Sequence, residues 1–206
     1  MPVKKVGVLA LQGAFIEHIA MLRRLGAEAL PVRLPQQLAG VDALVIPGGE
    51  STSISRLMGI YGLTEPLGQL ARNGLPIFGT CAGLILMARQ VQGQSPGALA
   101  VMNIEVRRNA FGRQVDSFEA DLPVPVLGQP VFHAIFIRAP RIEYTDPDVE
   151  VLARLDDGTV VAARQRNLLV TAFHPELTDD PRFHEYFLTL ASNGGRGGSS
   201  VSSGRS

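Results

Sequence analysis

The sequence predicts an α/β fold: three layers, with a mostly parallel central sheet flanked by helices and carrying antiparallel additions. Three observations lead there. Strand-length apolar runs alternate with helix-period segments through the first half of the chain. From about residue 99 the texture changes to β-branched runs separated by turn residues. The 206 residues are 46% hydrophobic and 18% charged, enough for one sizeable core and short for two.

Val6 to Ala10 is a buried strand. After the Gln12-Gly13 turn a helix follows, with Phe15, Ile19 and Leu22 on one face and Gly26 closing it. Ala43 to Ile46 is a second apolar strand, broken at Pro47-Gly48-Gly49. Beyond the break, Ser51 or Thr52 can cap a helix carrying Ile54, Leu57, Met58 and Tyr61. Leu75 to Gly79 repeats the pattern and runs into Thr80-Cys81-Ala82-Gly83. The helix-favouring stretch LILMARQ comes next, with no proline until Pro96.

The second half predicts strands at Val101 to Val106, Gln114 to Ala120, Val131 to Ile137, Val149 to Leu155, Thr159 to Ala163 and Leu168 to Phe173. Asp156-Asp157-Gly158 is a hairpin signal, and Pro181 to Leu190 reads as a closing helix. One domain, residues 1–191, is expected. Residues 192–206, with eleven Gly or Ser in fifteen, read as a disordered tail.

Nineteen Lys and Arg balance nineteen Asp and Glu. That balance lacks the basic footprint of a nucleic-acid or anionic-membrane binder and leaves a small ligand or a protein partner. No apolar run approaches the ~18 residues of a membrane span, and the first residues lack a signal-peptide pattern, so a cytoplasmic protein is expected. One cysteine, Cys81, excludes an internal disulfide and any Cys-clustered metal site.

Cys81 sits where an apolar strand turns sharply into a helix, flanked by Gly79 and Gly83. This is the cysteine version of a nucleophile elbow, where small neighbours are needed because the nucleophile's backbone is strained and crowded. A lone cysteine is more often inert packing; the strand, GTCAG and helix context reverses that. The nucleophile needs a base, and His174 follows an apolar strand that can end at the same sheet edge. Pro175 biases His174 toward extended geometry, so that Glu176, two residues on, can project to the same side and orient it. Taken alone, the pair is equally a loop with a solvated Glu. Acyl transfer also needs oxyanion donors: the Ala82 N–H at the elbow, and a second from Gly48-Gly49, bordered by Glu50 and Ser51. Arginines stand at strand ends in Arg107-Arg108-Asn109 and Ile137-Arg138-Ala139-Pro140, where a guanidinium can clamp a carboxylate or simply be solvated. His18, His133 and His184 read as surface or packing residues.

Taken in order and spacing, GVLALQGAF, LVIPGGESTSI, PIFGTCAGLILMA, RNAFGRQVDSFEADL, FIRAP and TAFHPELTDD resemble the glutaminase-subunit family of pyridoxal 5′-phosphate synthase. That family is a branch of the class I, triad glutamine amidotransferases with a flavodoxin-like sheet. The resemblance covers nearly everything before the tail. GGEST, RNAFGRQ and FIRAP narrow it to this branch; the GVLALQGAF, GTCAG and FHPE motifs alone would indicate only the class. It departs at Asn103, where an acidic residue is usual, and at Ile16, where a basic one is. The resemblance implies Cys81 as nucleophile, His174 as general base and acid, and Glu176 as the group orienting it. It further implies that Gly49, Glu50 and Ser51 contact glutamine, that Arg108 helps hold it, that Ile137 and Arg138 line the pocket, and that Gln12 is a neighbour. Also implied is that the Pro47-Gly48 region completes the oxyanion hole, with Gly48, Gly49 and Ala82 as donors, when the synthase's barrel subunit docks in a large hetero-oligomeric complex. No metal or organic cofactor is expected on this chain. The rivals are a glutaminase serving a different synthase, a stand-alone cysteine hydrolase of γ-glutamyl compounds, and a redox sensor built on Cys81.

Overall fold

A computed structural model describes residues 4–93, 97–108 and 117–193. The expected tail beyond Asn193 and much of the RNAFGRQ segment, with Asn109, lie outside these residues.

Five strands make a parallel half-sheet: β1 (Lys5–Leu9), β2 (Glu28–Val32), β3 (Ala43–Ile46), β4 (Ile77–Thr80) and, from far along the chain, β12 (Leu168–Thr171). Their spatial order is β2-β1-β3-β4-β12, and every adjacent pair is parallel. The sheet continues through β11 (Val160–Gln165), β9 (Arg141–Thr145), β6 (Met102–Arg107) and β5 (Ala88–Val91), with β10 (Glu150–Arg154) beside β11. The pairings β12-β11, β11-β9, β9-β6 and β10-β11 are antiparallel, as the change of texture predicts. β7 (Ser117–Leu122) and β8 (Phe132–Ile137) form a separate antiparallel ribbon.

β1, β3, β4 and β12 are apolar and almost entirely buried, the pattern of strands covered on both faces. The flanking helices are α1 (Phe15–Arg24), α2 (Ser51–Ile60), α3 (Thr64–Arg72), α4 (Ala82–Met87) and α5 (Arg182–Asn193). α1 ends as its Gly26 predicts. Gly26 has φ +82°, its N–H bonds Arg23 O, and the Ala27 N–H bonds Leu22 O, so the last carbonyls are satisfied by a left-handed turn that glycine enters without steric cost. Phe78, Phe132, Phe136, Phe173, Phe183 and Phe187 are all fully buried and make ring contacts, tying β4, β8, the segment just past β12 and α5 into one core. Each such ring contributes roughly 1.5–3 kcal/mol of burial.

Six elements differ from the sequence reading. β2, β9 and α3 were not expected; β2 contains Pro31, and RIEYT in β9 is short and half polar. LILMARQ is not one helix: α4 ends at Met87, and Ala88–Val91 pairs with β6. Helix propensity in ARQV loses to strand pairing because its backbone groups find a ladder there. The cap of α2 is neither Ser51 nor Thr52 but Glu50, whose carboxylate accepts the N–H groups of Thr52 and Ser53. α5 runs to Asn193, two residues past the expected domain end.

Candidate active site

Four loops at the carboxyl ends of β1, β3, β4 and β12 converge, the place where open α/β sheets bind ligands. They deliver Gln12, the Gly49-Glu50 turn, Cys81 and His174 to one cavity of about 390 Å³. Ser51, Arg108, Ile137 and Arg138 complete its wall, together with Ile85. Nine residues named from the sequence therefore line one space. Ile85 was missed, although one turn of α4 beyond Cys81 is where a lining residue would fall.

Cys81 occupies the strained junction that its glycine neighbours predict, with φ +48° and ψ −98°. A non-glycine residue at positive φ persists only where its surroundings hold it. Here the Cys81 N–H is bonded to Thr171 O at 2.8 Å, and the register pairs Thr80 with Thr171. The glycines let the elbow pack. A Cβ on Gly79 would come within 2.8 Å of the Gly83 backbone, and one on Gly83 would collide with Ile46 O. Cys81 Sγ lies 3.8 Å from Ile137 O at the end of β8.

His174 follows β12, its own N–H bonded to Ile135 O at 2.9 Å. Its ring stands beside the Cys81 thiol and, through Nδ1, is hydrogen-bonded to Glu176 Oε1 at 2.7 Å. Burial disfavours its charge, but the Cys81 and Glu176 contacts outweigh that and raise its pKa to about 10. Glu176 is buried, which alone would raise its pKa; the His18 and His174 rings reverse the sign and hold it below the ordinary carboxylate value. An imidazole between a sulfur and a buried carboxylate is thus present, and the three residues come from two loops more than ninety residues apart.

The opposite wall is backbone. Gln12 Oε1 accepts the Glu50 N–H at 2.8 Å, and a Cβ on Gly49 would sit 2.5 Å from that same oxygen. A Cβ on Gly48 would collide with the His174 ring, so only glycine allows this close approach. The Gly48 N–H points away from the cavity, into a 3.0 Å bond with Thr80 Oγ1. Ala82 opens α4 directly after Cys81. Arg108 donates to Thr52 Oγ1 at 3.1 Å and to Glu50 Oε1 at 3.2 Å. Hydrogen bonds from Ser53 and Thr52 depress the Glu50 pKa to about 2. Arg138 has φ +42° and is exposed at the rim.

Asn103 lies in β6, bonded to Arg89 and Asp148, and Ile16 is 65% exposed on α1. Of the histidines set aside, His133 is exposed, paired with Asp121 and Glu119, whereas His18 and His184 are buried. Their burial was legible: His18 lies three residues after Phe15 and four before Leu22, on the apolar face of α1. Among the described residues no group of three or more His, Cys, Asp or Glu is arranged to hold a metal ion, and no helix is long and apolar enough to cross a membrane.

A thiol at a strand-helix elbow, an imidazole against it and a carboxylate behind, on a half-parallel α/β sheet, is the architecture of the triad glutamine amidotransferase class. A solved structure described as a glutamine amidotransferase superposes with TM-score 0.86 at 51% identity, covering 91% of this chain and 98% of that one. The structure of PurLQS from Thermotoga maritima, at TM-score 0.70 and 15% identity over 92% of this chain and 99% of that one, shares the fold. The chain belongs to the SNO glutamine amidotransferase family, whose model matches residues 8–192. It is 62% identical over 188 residues to the pyridoxal 5′-phosphate synthase subunit PdxT of Herpetosiphon aurantiacus, covering 90% of this chain and 99% of that protein. The PdxT subunit of Dehalococcoides mccartyi is 59% identical over 189 residues, covering 91% and 97%.

Proposed function

We propose that this chain hydrolyses L-glutamine to L-glutamate and ammonia through a Cys81 thioester, and supplies the ammonia to a synthase subunit that forms pyridoxal 5′-phosphate. The observation that carries this reading is the Cys81–His174–Glu176 contact chain at the floor of a cavity sized for an amino acid. The relatives named as PdxT support the product and the partner.

The Cys81 thiolate attacks the side-chain amide carbon, giving a tetrahedral oxyanion. Protonated His174, held so by Glu176, gives its proton to the departing nitrogen, and ammonia leaves as the γ-glutamyl thioester forms. Neutral His174 then takes a proton from water. The hydroxide attacks the thioester, glutamate leaves, and the thiolate and imidazolium are restored. The Ala82 N–H and the 48–49 backbone are the oxyanion donors, Arg108 and Arg138 the candidates for the substrate carboxylate, and Gly49, Glu50, Ser51 and Ile137 its remaining contacts, with Gln12 bracing the turn.

The inward Gly48 N–H gives the partner a role. With that donor bonded to Thr80, the Pro47–Gly48 peptide must turn before it can face an oxyanion. We assign that turn to docking of a barrel-type synthase subunit in a hetero-oligomeric cytoplasmic complex, which ties glutamine consumption to ammonia use.

The test is glutamate release by the purified chain with and without the synthase subunit, with Cys81→Ala as control. Stimulation by the partner, abolished in Cys81→Ala, is expected. Full turnover without the partner would replace this reading with a stand-alone hydrolase.

A further inference from the structure

Below the cavity floor, two histidines that the mechanism leaves unused meet across the core. His18 on α1 and His184 on α5 are both 0% exposed, and His18 Nδ1 lies 2.9 Å from His184 Nε2. The far nitrogen of His18, Nε2, is 3.2 Å from Thr80 Oγ1 and 3.4 Å from Glu176 Oε2. Thr80 Oγ1 is the acceptor of the Gly48 N–H, and Glu176 is the carboxylate bonded to His174. His18 therefore touches both groups that stand behind the reacting ones. Two buried atoms here have no hydrogen-bond partner: Glu176 Oε2 and His184 Nδ1.

One placement of hydrogens suits this set. Burial drives both rings toward the neutral form, lowering the pKa of His18 and lowering that of His184 well below its ordinary value. A neutral imidazole carries one hydrogen. Were His184 protonated at Nδ1, a buried N–H would have no acceptor. His18 would then carry its hydrogen on Nδ1 and turn a bare lone pair on Nε2 toward the Glu176 carboxylate, an unfavourable approach in a low-dielectric core. With the hydrogen of His184 on Nε2, it donates to His18 Nδ1. The His18 hydrogen then sits on Nε2, bonded to Thr80 Oγ1 and 3.4 Å, nitrogen to oxygen, from Glu176 Oε2, close enough for electrostatic attraction. At His184 it leaves only the Nδ1 lone pair unpaired, which costs less than an orphaned N–H.

We propose that His18 and His184 are positioning residues for the active site: His184 fixes the His18 ring, and the His18 Nε2–H holds the outer oxygen of Glu176 and the hydroxyl of Thr80. Glu176 thereby stands between two imidazoles, one oxygen to each, and cannot rotate away from His174. Thr80, fixed by the same ring, sets where the Gly48 N–H rests. This inference rests on the triad reading above.

The experiment compares His18→Leu, which removes the donor, with His18→Gln, whose amide N–H can replace it, in the synthase-stimulated glutaminase assay. His18→Leu is expected to lower kcat about tenfold to a hundredfold with KM within about twofold, since a displaced catalytic group costs rate more than ground-state binding. His18→Gln is expected to restore most of kcat. Equal losses in both variants, or unaltered kcat in His18→Leu while Cys81→Ala is inactive, would overturn the relay alone; full activity of Cys81→Ala would overturn the triad and the relay together. Should the variants not fold, nitrogen-15 NMR of the native chain decides: hydrogens on Nε2 of both rings are expected, and a hydrogen on Nδ1 of either overturns the proposal.

Discussion

His174 and Glu176 stand two residues apart in the chain and 2.7 Å apart in space, Nδ1 to Oε1. Pro175 between them starts a single 3-10 turn, Pro175–Leu177, while His174 remains outside it at φ −107° and ψ +86°. The turn folds the carboxylate back under the ring instead of letting it run on into solvent. Because that contact raises the His174 pKa, Glu176→Gln should lower it from about 10 and reduce glutamine turnover by roughly a hundredfold or more. NMR titration of His174 and the partner-stimulated assay check the two effects.

The same shift makes a statement about stability. A folded-state value of about 10 against an ordinary 6.5 means that the protonated ring contributes fully below about pH 6.5, and that the contribution fades as pH rises toward 10. Denaturant unfolding between pH 6.5 and 10 is expected to show a loss of stability in the native chain that His174→Gln lacks.

Glu50 acts with the opposite sign. Its depressed pKa, about 2 against 4.5, gives stability present above pH 4.5 and lost as pH falls through 2. Glu50→Ala removes the α2 cap, costing about 1 kcal/mol, or about 2–4 °C in Tm. Thermal melts at pH 7 and pH 3 are expected to show a smaller deficit for the variant at the lower pH.

Gly83 and Gly59 both lie in helices, α4 and α2, and should respond oppositely to alanine. At Gly83 the added Cβ meets the Ile46 carbonyl, backbone against backbone, so α4 must lift; the expected cost is on the order of 3 kcal/mol, with loss of turnover as Cys81 moves. At Gly59 nothing lies within 4 Å, and alanine is expected to stabilise by about 0.5–1 kcal/mol. Denaturant midpoints of the two variants settle the contrast.

Arg108 reaches Glu50 and Thr52 at the cavity wall. Arg108→Ala is expected to raise KM for glutamine about tenfold with a smaller change in kcat, as a carboxylate-holding role requires. Steady-state kinetics with the partner present separates the two constants.

What the amino-acid sequence determined by itself was local. An apolar run meeting small residues on both sides of Cys81 is an elbow wherever it is placed, and Phe173-His174-Pro175-Glu176 contains its own turn. Gly26 and the glycines around Cys81 stood out for the same reason: their steric demand is set within a few residues. Tertiary structure decided the rest. Only the parallel register of Thr171 on Thr80 brings His174 against Cys81, and no local pattern encodes a pairing across ninety residues. The Ala88–Val91 strand is a strand because β6 offers it a ladder, and β2 and β9 likewise owe their conformation to neighbours. His18 and His184 show the same division. Their positions on apolar helix faces could be read from spacing, but their meeting at 2.9 Å over Phe78, 166 residues apart, exists only once α1 and α5 pack on the same core.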